Sequence, residues 1–291
     1  MRSLLFVPAD SERKLAKAEG SGADALILDL EDAVAPDNKE AARQTAIDYL
    51  KSYTGGQMII VRINALDTDL WQDDLAAIVP MAPGAIMVPK TQSGEDITWA
   101  CTQIGDLETK SGLPVGAIKL CNVATETAAS LFTLGTYQNA SPRLFAMTWG
   151  AEDLATDLGA TANRDETGAY TGPYQLARTL CLAGAAAAGA APIDGIYKDF
   201  RDTDGLEKEA RAAMRDGFTA KMAIHPGQIE SINRVFTPTQ ADIDTANAII
   251  EAFRAAGNPG TVALDGVMLD RPHLRQAERT LARAGAKVKR S

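Results

Sequence analysis

Eight short apolar runs, spaced by helix-length amphipathic stretches, constrain this chain more than any other feature. The runs cover residues 4–7, 25–30, 58–63, 85–88, 115–123, 144–148, 192–196 and 221–224. Between them lie segments such as 12–20, 39–52, 70–79 and 94–111, whose apolar residues recur at helical spacing. Near-continuous apolar runs suit strands covered on both faces, and alternation of strand with helix implies a parallel sheet. Eight such units predict an α/β protein of the (β/α)8 TIM-barrel type. The alternative is an open doubly wound sheet, but no Gly-x-Gly-x-x-Gly follows the first run.

A barrel puts the residues that follow each strand on one rim, where barrel enzymes build their sites. Here that rim carries Pro8, Asp10, Glu31, Asp32, Arg62, Asn64, Lys90, Glu126, Glu152, Asp153 and His225. The concentration of charge predicts a polar, cation-binding mouth. Glu126 and Asp153 close neighbouring strands, and two such acids are able to hold a hard divalent cation through oxygen. The competing reading makes Asp153 the N-cap of a helix that starts at Leu154. Only two histidines exist, His225 and His273, so a histidine-rich metal site is excluded and carboxylate ligation points to magnesium or manganese. Arg62 ends the third run, where a guanidinium suits a carboxylate or a polarised carbonyl; pairing with Glu31 or Asp32 is the structural alternative. Asp29 reads as a structural carboxylate, and Arg13, Lys14 and Lys17 as a solvated helix face.

The formal charge of −9 on 291 residues argues against a general nucleic-acid binder, while leaving room for anionic small ligands. Three widely spaced cysteines predict reduced thiols rather than a disulfide frame. The apolar run at 4–7 stops at Pro8, too short for an export signal, and the uncharged run at 179–193 is too short to span a bilayer. A cytoplasmic protein without nucleic-acid or membrane partners is expected. After the eighth unit come a helix over 237–256 and a Gly-Asn-Pro-Gly hinge at 257–260. A hairpin turning at Asp265-Gly266 follows, then a last helix beginning near Asp270-Arg271-Pro272. The expected organisation is a barrel over 1–256 and a hairpin–helix segment over 257–291.

Several motifs occur in order: Arg2 to Pro8, Asp24 to Pro36, Val61-Arg62-Ile63-Asn64, Glu126-Thr127-Ala128, Trp149-Gly150-Ala151-Glu152-Asp153 and Ile224-His225-Pro226. As an ordered set across nearly the whole chain they resemble the citrate lyase β-subunit-like and malyl-CoA lyase family. That resemblance implies a (β/α)8 barrel assembled as trimers or hexamers, binding Mg²⁺ and CoA thioesters. It implies Glu126 and Asp153 as metal ligands and Arg62 as the arginine on the substrate oxygens. The backbone of Gly150, Ala151 and Glu152 would grip a 2-oxo acid carboxylate, with Phe6 and Lys17 at the CoA. Asp270 would be the aspartate of a C-terminal lid that reaches a neighbouring subunit. Ala9 and Ser130 stand where the family usually has glycine, and Lys119 and Asn122 are unusually polar for a strand.

The resemblance implies a Mg²⁺-dependent lyase that splits a malyl-CoA-type 3-hydroxyacyl-CoA into a 2-oxo acid and an acyl-CoA. Arg62 and Asp270 would be its catalytic residues. Hydrolysis of the thioester at the same site is the nearest alternative. A citrate lyase β-subunit in a carrier-protein complex, or an aldolase using His225 as base, lies further off.

Overall fold

The computed structural model describes residues 1–285, and these cluster into two compact units that divide between Asn233 and Arg234. The first is a closed barrel of eight parallel strands. In chain order it contains β1 (Ser3–Pro8), α1 (Glu12–Glu19), β2 (Ala25–Asp29), α2 (Lys39–Ser52), β3 (Met58–Arg62), α3 (Trp71–Ile78), β4 (Ala85–Val88) and α4 (Gly94–Lys110). It continues with β5 (Lys119–Val123), β6 (Leu144–Thr148), α5 (Glu152–Asp157), α6 (Gly172–Ala188), β7 (Ala191–Asp194), α7 (Thr203–Asp216), β8 (Ala220–Ala223) and α8 (Ile229–Phe236), the last of which runs across the division. β8 closes on β1 with Leu4 opposite Met222.

Alternation along the strands sorts side chains into two layers. Leu4, Ala25, Ile27, Ile60, Met87, Cys121, Val123, Ala146, Ile193 and Met222 pack into one core cluster. Their intervening neighbours, such as Leu5, Leu26, Leu28, Val61 and Ile86, are equally buried on the opposite face. Two residues beyond Leu4, Ile27 and Ile60 on the core side stand Phe6, Asp29 and Arg62. Strand periodicity therefore delivers an aromatic ring, an acid and a base to the same end of the barrel.

All eight strands fall within or beside the expected runs, and two are shorter for physical reasons. The run at 115–123 forms strand only from Lys119. Ahead of it Gly116 takes φ +94°, and the buried Glu108 carboxylate accepts the amides of Gly116 and Ile118 at 2.8 Å each. Arg143 pairs with that same carboxylate at 2.6 Å. The seventh strand ends at Asp194, because Gly195 then passes close against Trp149. The polar β5 is also explained. Lys119 is exposed at its start, while buried Asn122 donates to Thr91 Oγ1 (2.8 Å), itself 2.9 Å from Tyr137 Oη.

The second unit holds α9 (Gln240–Ala255), the antiparallel pair β9 (Thr261–Leu264) and β10 (Val267–Asp270), and α10 (Arg271–Arg283). Its core is Ala246 against Ala277 and Leu281, with Ile243, Ile249 and Ile250 packed on them. This packing groups α9 with the hairpin, so the compact unit begins ahead of the Gly-Asn-Pro-Gly turn where sequence places the boundary. Among the described residues no helix is long and apolar enough to cross a membrane.

Candidate active site

Arg62 occupies the core side of the last position of β3 and is held at every nitrogen. Nε and Nη2 make a two-pronged contact with Asp29 at 2.8 and 2.6 Å, and Nη1 lies 2.9 Å from Glu31 Oε2. Its Cζ stands 4.9 Å from the centre of the Phe6 ring. Burial would lower its pKa, but Asp29 and Glu31 outweigh that and hold the guanidinium firmly charged. Asp29 keeps the structural duty expected of it, accepting the amides of Glu31 (2.9 Å) and Ala33 (3.2 Å). It also aims Arg62, which sequence reasoning did not anticipate; the nearer sequence candidate, Asp32, stays half-exposed 3.8 Å from Nη1.

Glu126 follows β5 and Asp153 lies in the first turn of α5, after β6. Lys90, just beyond β4, bridges them. Its amide donates to Glu126 Oε2 at 2.6 Å. Its ammonium lies 2.6 Å from Glu31 Oε1, 3.3 Å from Asp153 Oδ1 and 3.4 Å from Asp32 Oδ1. Lys90 adopts φ +51°, a left-handed conformation rare outside glycine and one that clusters at functional sites. Sequence reasoning placed Lys90 on the rim without a role; its position straight after Pro89 and β4 was the available signal.

A Cβ at Gly150 would come within 2.7 Å of Glu126 Cγ, so any larger residue there would displace the Glu126 side chain. Ala151 is the buried N-cap of α5, so Asp153 sits inside the first turn and the reading that made it the cap is corrected. The Glu152 carboxylate is occupied by Lys198 (2.7 Å) and Asn163 (2.9 Å). The backbone around Gly150, Ala151 and Glu152 opens α5, where first-turn amides lack intrahelical acceptors.

Electrostatics favour a cation at this rim. Asp29, Glu31, Asp32, Glu126 and Asp153 face only Arg62, Lys90 and Lys39, so with every acid ionised the rim carries an excess of two negative charges, Lys39 Nζ being anchored on Leu30 O and Glu31 O at 2.7 Å each. Burial, then the charges of Glu31 and Asp153, push the Glu126 carboxyl up to about 8. Burial likewise raises Glu31, against the pull of Arg62 and Lys90. Among the described residues no cluster of three or more histidine, cysteine or acidic side chains gathers as metal ligands. A magnesium ion usually needs only one or two protein carboxylates, the rest being water and substrate oxygen. A hard divalent ion therefore fits Glu126 and Asp153 in donor type and in charge.

These shifts have a consequence for stability. Glu126 titrates higher in the folded chain (about 8) than in the unfolded one (4.5), so it favours folding at low pH. That contribution is lost as pH rises through the folded value. In EDTA the thermal midpoint is expected to fall as pH rises from about 4.5 to about 8, and added Mg²⁺ should restore most at the alkaline end, where the carboxylate is ionised. Differential scanning fluorimetry with and without metal checks this; a pH-independent midpoint in EDTA would contradict it.

Lys17 and Phe6 line one cavity of about 450 Å³ together with Arg13, Lys14, Ile224 and His225. The three cations of α1 are exposed as a solvated face would be, yet they border this opening. His225 Nδ1 accepts the Gly227 amide at 3.0 Å, and its ring stacks 4.7 Å from Phe200. Ala9 is fully buried with its amide on Asp29 O (3.0 Å), and Ser130 is buried with its hydroxyl on Thr127 O (2.7 Å). In the second unit Asp270 ends β10 as the N-cap of α10, its carboxylate 2.6 Å from His273 Nδ1 and both side chains roughly half exposed. His273, three residues on, is a partner that sequence reasoning missed.

A closed parallel barrel with acids, a clamped arginine and a lysine gathered after its strands has the architecture of a (β/α)8-barrel enzyme. The chain belongs to the HpcH/HpaI aldolase/citrate lyase family, whose profile matches residues 2–226. It is 38% identical over 288 residues to a (3S)-malyl-CoA thioesterase of Cereibacter sphaeroides, covering 98% of this chain and 95% of that one. It is 34% identical over 290 residues to the mitochondrial citramalyl-CoA lyase of Mus musculus, covering 95% and 84%. Among solved structures it resembles CitE from Mycobacterium tuberculosis in complex with magnesium, acetoacetate and coenzyme A. There the TM-score is 0.79 and the identity 33%, with 98% of each chain covered.

Proposed function

We propose that this protein is a Mg²⁺-dependent carbon–carbon lyase acting on a malyl-CoA-type ester (malyl-, methylmalyl- or citramalyl-CoA). The observation that carries the reading is the meeting of Glu126 and Asp153 across Lys90, beside a fully clamped Arg62. Glu126 and Asp153 would hold the metal, Mn²⁺ serving in its place. When bound, the ion supplies Lewis-acid polarisation of substrate oxygens. Arg62 adds preorganised positive charge where oxygen charge develops. The amides around Gly150, Ala151 and Glu152 orient the acid carboxylate. The cavity bordered by Phe6, Arg13, Lys14 and Lys17 takes the CoA, its cations facing the phosphates. The hydroxyl would release its proton to solvent as the C–C bond breaks, the bonding pair leaving on the acyl-CoA carbon as an enolate, and the Asp270 carboxyl would give that carbon a proton and be reprotonated from water. The products are a 2-oxo acid and an acyl-CoA, with no oxidant required. In this reading the hairpin of β9 and β10 is a lid exchanged between subunits of a homotrimer or hexamer, and the enzyme is cytoplasmic.

A second reading is supported by the 38% likeness to malyl-CoA thioesterases. In it, water adds to the thioester carbon at the same site, the C–S bond breaks and the thiolate takes a proton. Product analysis with malyl-, methylmalyl- and citramalyl-CoA decides. Glyoxylate or pyruvate establishes the lyase, malate or citramalate with free CoA establishes the thioesterase, and no turnover of any of the three overturns both.

Arg62→Lys is expected to lower kcat/KM by roughly 10²-fold or more, because an ammonium cannot reproduce a planar two-pronged contact and weakens the fixed charge at the site. Steady-state kinetics beside a melting curve check this. Near-wild-type kcat/KM would reduce Arg62 to a structural partner of Asp29 and Glu31.

A further inference from the structure

Trp149, which opens the turn to Gly150 and Asp153, belongs to a closed ring of contacts on the opposite side of the sheet from the barrel core. Its indole Nε1 donates to Asp194 Oδ1 at 2.9 Å. Asp194 Oδ2 accepts from Lys221 Nζ at 2.7 Å, and the same ammonium donates to Gly195 O (2.9 Å) and Glu209 Oε1 (2.8 Å). Glu209 Oε2 accepts from Arg164 Nη2 at 2.8 Å. The Arg164 guanidinium lies 3.6 Å from the centre of the Tyr170 ring. Tyr170 in turn meets Trp149 edge-on at 4.9 Å, closing the ring. Arg178 braces the Asp194 corner at 2.9 Å and reaches out to Asp216 at 2.7 Å.

Asp194 and Lys221 are fully buried. Burial alone would raise Asp194 and lower Lys221. The charges of Lys221 and Arg178 outweigh it for the acid, and those of Asp194 and Glu209 for the base, so both stay ionised. Removing such charges from water costs several kcal/mol per ion, and apolar packing of similar volume is often as stable or more so. Stability alone is therefore a poor reason for the ring, whereas holding one group in one place is a good one. The indole is the group held. A Cβ on Gly195 would come within 3.2 Å of Trp149 Cε2 and Nε1, so the chain after β7 closes directly on the ring.

We infer that the Asp194–Lys221–Glu209 relay, buried at Asp194 and Lys221, positions Trp149 and, through it, the Gly150–Asp153 turn, setting the Asp153 carboxylate opposite Glu126. Trp149 and Asp194 are positioning residues, and their role rests on the proposed metal ligation by Asp153 and Glu126. The ring is the barrel's outer support for that ligand pair, of the kind whose loss weakens metal binding without removing a ligand.

Binding of Mn²⁺ alone to the full-length protein, followed by the electron paramagnetic resonance of free Mn²⁺, tests this without turnover. Trp149→Phe keeps a ring against Tyr170 and leaves Asp194 paired with Lys221 and Arg178. Its Mn²⁺ dissociation constant is expected to rise about tenfold or more. Tyr170→Leu, which loosens the indole from its other side, should shift it in the same direction. Asp216→Asn, beyond the ring, should bind as wild type does, and Asp153→Asn should bind far more weakly. Wild-type affinity in both Trp149→Phe and Tyr170→Leu, with binding lost in Asp153→Asn, overturns the inference and leaves the metal assignment standing. Equal weakening in Asp216→Asn and Trp149→Phe reduces the ring to general stability and also overturns it. Wild-type binding in Asp153→Asn removes the metal assignment, and the inference with it.

Discussion

Glu126→Gln and Asp153→Asn are each expected to abolish Mg²⁺-dependent turnover while the protein still folds. Both exchanges keep shape and remove the negative charge, and an amide oxygen is a poor ligand for a hard cation. If the ion contributes several kcal/mol of charge stabilisation, its loss is worth roughly 10³-fold or more in rate. The two variants should differ in stability. Glu126 is buried, carries a raised pKa and faces Glu31 and Asp153, so in the metal-free protein the amide should leave the midpoint unchanged near neutral pH, where the carboxyl is largely protonated, and raise it above about pH 8. Asp153 is partly exposed and pairs with Lys90 at 3.3 Å, so its loss should cost little. Activity measured across a Mg²⁺ titration, beside melting curves, checks both. Normal rates with an unchanged Mg²⁺ dependence would remove these residues from the site.

Asp270→Asn separates two roles that the same position permits. Asp270 precedes α10 as its N-cap and pairs with His273 at 2.6 Å. Losing a cap costs about 1 kcal/mol and should barely touch chemistry. Losing a proton donor costs roughly 10²–10⁴ in rate. Asparagine caps nearly as well but cannot exchange the proton, so the variant is expected to melt like the wild type and lose most turnover. On the proposed exchange of lids between subunits, mixing it with Arg62→Ala should partly restore activity by pairing a barrel that keeps Arg62 with a hairpin that keeps Asp270. Unchanged turnover in Asp270→Asn would make it a cap alone. Lost turnover without rescue would place the hairpin over its own subunit's barrel.

Much of this site follows from strand periodicity. Phe6, Asp29 and Arg62 stand two residues beyond core positions, so any chain with these runs closed into a barrel brings them to one rim. Glu126 and Asp153 were legible for the same reason, as acids placed just after runs five and six. Helix starts were less so. By sequence Asp153 reads as a cap because the apolar run ends at Gly150 and Ala151, and only backbone geometry shows Ala151 in that role.

The barrel, the end of it that carries charge, and the hairpin and helix of the tail are all specified locally along the chain. These depend on local periodicity and turn chemistry, which neighbouring residues encode directly. Tertiary structure alone decided the pairings. Arg62 takes Asp29 rather than Asp32, Lys90 spans Glu31 and Asp153, and the fully buried Lys221 finds Asp194 and Glu209. α9 likewise joins the hairpin rather than the barrel because Ala246 packs on Ala277 and Leu281. The physical reason is that several acids lie within side-chain reach of each base. Which one is chosen depends on angstrom-scale spacing set by strand register and barrel closure, and on how far each pair is withdrawn from water.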